Sequence, residues 1–134
     1  MMKVLIDTHI FLWFFLEPQR IKKRAHDFLQ NTFDNEIYVS HATAWEISIK
    51  YGIGKLKIPE VPEIWVPDRI RRAGFRHLPI EIQHVLRVHN LPPIHKDPFD
   101  RLLISQADVG NLTIVTEDPN FLKYQAKILT LNNL

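Results

Sequence analysis

The chain has 134 residues with 46% hydrophobic content, enough for one compact domain over residues 1–134 and too short for a second. It carries 17 Lys and Arg against 15 Asp and Glu and no cysteine, which excludes a disulfide framework, a thiolate metal site and a thiol nucleophile, and leaves oxygen or imidazole nitrogen to hold any metal. No apolar run approaches the length of a membrane span, and Met1 to Ile6 is interrupted too early by Lys3 to be a secretory signal, so a soluble cytoplasmic protein with no membrane association is expected.

In chain order, Lys3 to Ile6 is a short β-branched apolar run that stops at Asp7, the pattern of a buried parallel strand. Thr8 to Leu16 is apolar nearly throughout and is halted at Glu17-Pro18, which predicts a short buried helix. An amphipathic helix follows from Arg20 to Asn31, with Ile21, Ala25, Phe28 and Leu29 on one face. Ile37 to Ser40 is a second strand, and Ser40 is placed to cap a helix reaching about Tyr51 and closed by Gly52 or Gly54. A looser stretch marked by Pro59, Pro62 and Pro67 precedes a basic helix from Asp68 to Gly74. His77 to Ile80 is a third strand and Glu81 to Asn90 a further helix. After Leu91-Pro92-Pro93, Asp97-Pro98 is the signature of a capped helix start, running to Val109 and stopped at Gly110-Asn111. Leu112 to Thr116 is a fourth strand and Ile128 to Leu131 a fifth. Strands alternating with helices argue an α/β fold, a three-layer α/β/α sandwich on a mostly parallel sheet of about five strands.

The acids fall where these strands hand over to helices. Asp7 ends the first strand, Asp118 lies just past the fourth, Asp97 and Asp100 share the first turn of a helix, and Glu46 enters from a helix flank beside Trp45. In an open parallel sheet the crevice outside the carboxyl ends of the strands is where distant loops converge. Several carboxylates gathered there raise one another's pKa, and a divalent cation relieves the conflict. Hard oxygen ligands suit Mg2+ or Mn2+, one or two ions, which equips a site to cleave a phosphodiester with activated water. Setting aside those five acids leaves 17 Lys and Arg against 10 Asp and Glu, a basic surround suited to a polyanion such as RNA. The four glycines form no Gly-x-Gly or phosphate-loop pattern, so a nucleotide cofactor is not expected.

Four segments together resemble the PIN-domain ribonucleases, and in particular the VapC toxins of toxin–antitoxin modules. They are Val4-Leu5-Ile6-Asp7-Thr8-His9, the Ser40 to Lys50 segment with Trp45-Glu46-Ile47, the block His95-Lys96-Asp97-Pro98-Phe99-Asp100-Arg101-Leu102-Leu103-Ile104, and Val115-Thr116-Glu117-Asp118. The resemblance implies that Asp7, Glu46, Asp100 and Asp118 are catalytic, metal-binding acids. It places Thr116 as a hydroxyl near the site, Thr8 after the first acid, and Asp97 as an extra acid found in some branches. It further implies a Mg2+- or Mn2+-dependent endoribonuclease, a homodimer and a cognate antitoxin.

Other readings stay open on the sequence alone. Asp97 serves equally as a helix cap, and Arg101 beside Asp100 as a neutraliser of acid, a phosphate contact or an ion-pair partner. The basic clusters Arg20 to Arg24 and Arg69 to Arg72 read as RNA contacts or as solvated helix faces. His9 and His95 are the histidines nearest the acids. The apolar run Phe11 to Leu16 exceeds what one face of a short helix buries, which reads as a subunit or partner interface or equally as core packing. The alternative to an enzyme is a catalytically silent PIN-like RNA- or protein-binding module. A phosphohydrolase with an aspartyl nucleophile is disfavoured by His9, where a second acid would be needed.

Overall fold

The computed structural model describes residues 1–134. Five strands, β1 (Lys3–Ile6), β2 (Glu36–Ser40), β3 (Arg76–Leu78), β4 (Thr113–Val115) and β5 (Ile128–Leu129), form one sheet in the order β3-β2-β1-β4-β5. Every pairing is parallel, with Ile6 opposite Val39 on one side and Val115 on the other. Six helices connect and cover the sheet: α1 (Thr8–Leu16), α2 (Lys23–Gln30), α3 (His41–Gly52), α4 (Pro62–Ala73), α5 (Ile82–Arg87) and α6 (Pro98–Gly110).

The pleat sorts the strand side chains into two cores. Val4, Ile6, Ile37, Val39 and Val115 pack with Ile10, Phe11, Ala25, Leu29, Ile47, Trp65 and Ile70 of α1 to α4. Leu5 and Ile114 point the other way, against Leu102, Leu103, Ile104 and Ala107 of α6. Because successive strand residues face opposite sides, one apolar run serves both faces, which is why β1 is hydrophobic without alternation. Both faces are therefore covered, as the three-layer expectation requires. No helix is long and apolar enough to cross a membrane.

The chain moves outward from β1 through β2 to β3, then returns across the sheet to β4 and β5. The reversal of strand order falls between β1 and β4. In open α/β sheets that reversal opens a crevice at the carboxyl ends of the strands.

Several boundaries differ from the sequence reading. The proline-marked stretch is not a loop before a helix at Asp68: α4 begins at Pro62 and carries Pro67 inside it. Pro62 occupies the first turn, where a missing N–H costs nothing. Pro67 forfeits one helical hydrogen bond, worth about 3 kcal/mol in a helix interior, but Trp65, Val66 and Ile70 of the same helix are almost fully buried and contribute about 1.5–3 kcal/mol each. The helix expected from Arg20 is a 3-10 turn at Pro18–Arg20 followed by α2 from Lys23. The third strand stops at Leu78, since Pro79 cannot donate to the ladder. The last strand ends at Leu129, and Thr130 begins a 3-10 turn over Leu131–Asn133. The aromatic run in α1 is largely absorbed by the fold: Phe11 and Phe15 pack edge-on against Trp65, and Phe14 stacks on His26 at 4.8 Å.

Candidate metal centre

β1 delivers Asp7 to the crevice. Asp7 is 2% exposed and caps α1, its Oδ1 accepting from the Ile10 amide at 2.8 Å. Its Oδ2 accepts from the Thr116 hydroxyl, one residue past β4. The same Thr116 oxygen accepts from the Asp118 amide at 3.0 Å, and Asp118 caps the next turn through Asn120 N–H. One hydroxyl thus sets the spacing of two acids that stand 111 residues apart in sequence.

Glu46 and Asp100 come from helices. Ser40 caps α3, as its position predicts, accepting from the Ala42 amide at 2.9 Å. Thr43 Oγ1 then meets Thr8 Oγ1 at 3.0 Å, both buried. Residues three apart share a helix face, so this contact turns the Glu46 face of α3 toward the start of α1. Glu46 is 4% exposed and pairs with Lys50 at 2.7 Å. Asp97 caps α6 by accepting from the Phe99 and Asp100 amides, which sets Asp100 in the first turn, where the helix dipole favours negative charge. His95 Nε2 lies 2.7 Å from Asp100 Oδ2. Trp45 and Phe99 meet edge-on at 4.9 Å and close the α3–α6 side.

Electrostatics divides the acids into a pair and a trio. Burial pushes the Asp7 carboxyl up to about 6, opposed by the Thr116 and Ile10 hydrogen bonds and reinforced by Asp118. Burial also pushes Asp100 up to about 6, opposed by the His95 hydrogen bond and reinforced by Asp97 and Glu46. Asp7 therefore feels Asp118, and Asp100 feels Glu46 and Asp97. The ligand atoms of His95, Asp97 and Asp100 lie within 4.8 Å of one another, the one such trio of potential ligands in the chain. Asp7, Glu46, Asp100 and Asp118 form no group that tight.

Arg101 departs from the expectation that it serves the acids. Its guanidinium donates to the carbonyls of Val88, Leu91, Pro92 and His95 and to the Tyr124 hydroxyl. It clamps the 88–95 segment over α6, and Tyr124 holds the same segment through the His95 amide at 2.9 Å. Arg101→Ala is expected to cost about 2–3 kcal/mol in urea denaturation, with no rescue by Lys, because the planar fork and not the charge satisfies these carbonyls. Unchanged stability with weakened RNA binding would instead make it a phosphate contact. The α4 basic cluster is likewise spent internally: Arg69, Arg71 and Arg72 converge on Asp68 at 2.7–3.0 Å.

The PIN domain family model matches residues 4–127. The chain belongs to the PIN domain family. It is 46% identical over 78 residues to Ribonuclease VapC16 of Mycobacterium tuberculosis, a match covering 54% of this chain and 54% of that protein. The chain thus spans about half the length of this curated relative. Among solved structures it resembles VapBC2 from Rickettsia felis bound to a DNA fragment from their promoter, with a TM-score of 0.72 at 18% identity, covering 96% of this chain and 98% of that one. DNA-bound VapBC from Salmonella typhimurium gives 0.71 at 18% identity, covering 98% and 99%. At such identity the structures bear on the fold, and they agree with the five-stranded parallel sheet.

The donor set of this PIN domain fits a hard divalent cation. Carboxylate oxygens dominate, no thiolate competes, and Asp7 and Asp100 hold protons unusually tightly because burial, reinforced by neighbouring acids, disfavours the anion; a bound cation favours it. Four features of this arrangement escaped sequence reading. They are the Thr8–Thr43 contact, the His95–Asp100 contact, the buried hydrogen bond from Ser40 to Gln106 and the Arg101 clamp. Thr116 is the exception, since the family resemblance already implied a hydroxyl near the site at this position. Thr116→Val keeps the shape but removes the hydroxyl, and is expected to weaken Mn2+ affinity about 10–100-fold, as loss of ligand-orienting groups does. Isothermal titration measures it, and an unchanged affinity would make Thr116 a packing residue only.

Proposed function

We propose that this protein is a Mg2+- or Mn2+-dependent endoribonuclease that acts as the toxin of a toxin–antitoxin pair. The observation that carries the reading is the Asp7–Thr116–Asp118 linkage at the carboxyl ends of β1 and β4, where the strand order reverses, with the Asp7 and Asp100 carboxyls pushed up to about 6 chiefly by burial. The PIN family membership and the identity to a protein named as a ribonuclease support it.

When bound, one or two divalent cations would supply Lewis-acid activation of water and stabilise charge on the phosphate. Asp7, Glu46, Asp100 and Asp118 are the residues that would hold them, with Asp97 as an accessory acid. Thr116 orients Asp7 and Asp118 toward the same space. Thr8 holds α3 against α1 and so aims Glu46. Asp97 fixes the first turn of α6 and with it Asp100. Water attack at phosphorus would leave a 5′-phosphate and a 3′-hydroxyl. The partners are an RNA substrate, a cognate antitoxin and a second copy of the chain, and cytoplasmic action fits all three.

Cleavage of a labelled single-stranded RNA pool by the purified chain with Mg2+ or Mn2+, alongside EDTA and Asp100→Asn controls, tests the proposal. Cutting that is lost in both controls is the expected result. Intact RNA with wild type, in the presence of demonstrated metal binding, would favour a silent binding module.

A further inference from the structure

The acid crevice opens on the Asp7 side into a hollow of about 220 Å3 lined by Asp7, His9, Trp13, Glu117, Asp118 and Pro119. A second hollow of about 330 Å3 has Arg20 and Lys22 on its wall. Trp13 and Glu117 belong to both, so the two meet at the indole. Trp13 lies six residues beyond Asp7, about 9 Å along the helix, a distance that a short stretch of extended nucleotide chain spans.

The indole is built into place. Trp13 is half-buried and packs against the large core through its helix, which fixes its orientation. A base stacking on the ring would take the place of the Arg20 guanidinium as that group moves to the adjoining phosphate. The Arg20 guanidinium lies 5.1 Å from its ring centre, and His9 sits 6.2 Å away on the acid side. Arg20 has only a loose partner in Glu17 at 3.4 Å, both about half exposed, a kind of pair that contributes little. Lys22 is exposed. Three guanidinium groups of the other basic cluster share Asp68, whereas Arg20 and Lys22 line the hollow that meets the indole.

We propose that this trough is a nucleotide subsite for single-stranded RNA: one base stacks on Trp13, and the adjoining phosphate is held by Arg20 and Lys22. The assignment rests on the ribonuclease reading for the direction of the strand, which runs from the acids past the indole. An aromatic platform interleaved with cations is how single strands are bound, because every base offers a π-face and every linkage a charge. Glu117 on the shared wall is tied to the Leu131 amide. A carboxylate on that shared edge can accept from an exocyclic amine, which suits a base at Trp13, while Arg20 and Lys22 on the wall of the second hollow take the phosphate.

Binding can be separated from cleavage. In the full chain carrying Asp100→Asn, with EDTA present, anisotropy of a labelled single-stranded RNA dodecamer gives the affinity. Trp13→Leu is expected to weaken it at least about fivefold, the lower end for loss of one stacked base, while Trp13→Phe stays close to the parent. Arg20→Ala with Lys22→Ala should lower the salt slope by about one to two, whereas Arg71→Ala with Arg72→Ala leaves it unchanged. The surface pair keeps the test decisive if the Trp13 variant fails to fold. Parent-like binding by Trp13→Leu and the Arg20/Lys22 variant, or no binding by the parent, overturns the subsite. Metal-dependent cleavage by wild type together with Trp13-independent binding removes the subsite alone. Trp13-dependent binding without any cleavage removes the nuclease reading and leaves the subsite standing.

Discussion

Asp7→Asn is expected to lower metal-dependent RNA cleavage by at least about a hundredfold, since a charge that helps hold the cation contributes several kcal/mol to transition-state stabilisation. The fold should survive. The amide keeps an oxygen to accept from the Ile10 N–H, which caps α1, and its NH2 can donate to the Thr116 oxygen in place of the hydrogen bond it received. Near-native far-ultraviolet circular dichroism and a metal-free melting temperature no lower than wild type would separate loss of function from loss of structure. Retained cleavage by a folded variant would remove Asp7 from the machinery. The same substitution at Asp100 should match it in activity, whereas Asp97→Asn should retain much more. Asp97 is already committed to two backbone amides as a cap, and Asn caps a helix nearly as well as Asp.

How much of this was written in the sequence depends on the kind of information needed. Asp7 was legible because an apolar strand that ends in an acid leaves that acid buried and in need of a partner. The caps at Ser40 and Asp97 were legible because capping is local chemistry, read within three residues. α4 was misplaced because two prolines argue locally against a helix, while the burial of Trp65, Val66 and Ile70 that overrides them is a property of the whole core. Arg101 was misread for the same reason. Its neighbour in sequence is Asp100, but its side chain reaches back to carbonyls as far as Val88, and no spacing rule reports which carbonyls a folded segment leaves unpaired. The meeting of Asp7 with Thr116 and Asp118 across β1 and β4 followed from topology, which strand–helix alternation made legible. The division of the acids into an Asp7–Asp118 pair and an Asp100–Glu46–Asp97 group is a matter of side-chain geometry that only the folded chain displays.

That division has a consequence for stability. Asp7 and Asp100 hold their protons more tightly in the folded chain than in the unfolded one, where the ordinary value is 3.8. Between about pH 4 and pH 6 the native state therefore binds more protons than the unfolded state, and stability falls as pH rises through that window. Each group contributes a loss on the order of 1 kcal/mol between pH 5 and pH 7.5, so the metal-free protein should be less stable at the higher pH on their account. For a chain of this size that corresponds to a fall of several degrees in melting temperature. His41 acts in the opposite sense, since burial and His77 lower its pKa, and its contribution rises with pH. The carboxyl contribution is isolated by comparing wild type with the Asp7→Asn and Asp100→Asn double variant in EDTA, where the double variant should be the more stable at pH 7.5 and the difference should shrink toward pH 5. Adding Mn2+ at pH 7.5 should then raise the wild-type melting temperature and leave the double variant nearly unmoved, because the cation does for the two anions what protons do in its absence. A double variant that follows wild type at every pH and responds equally to Mn2+ would show that the two carboxyls neither store this repulsion nor hold the ion.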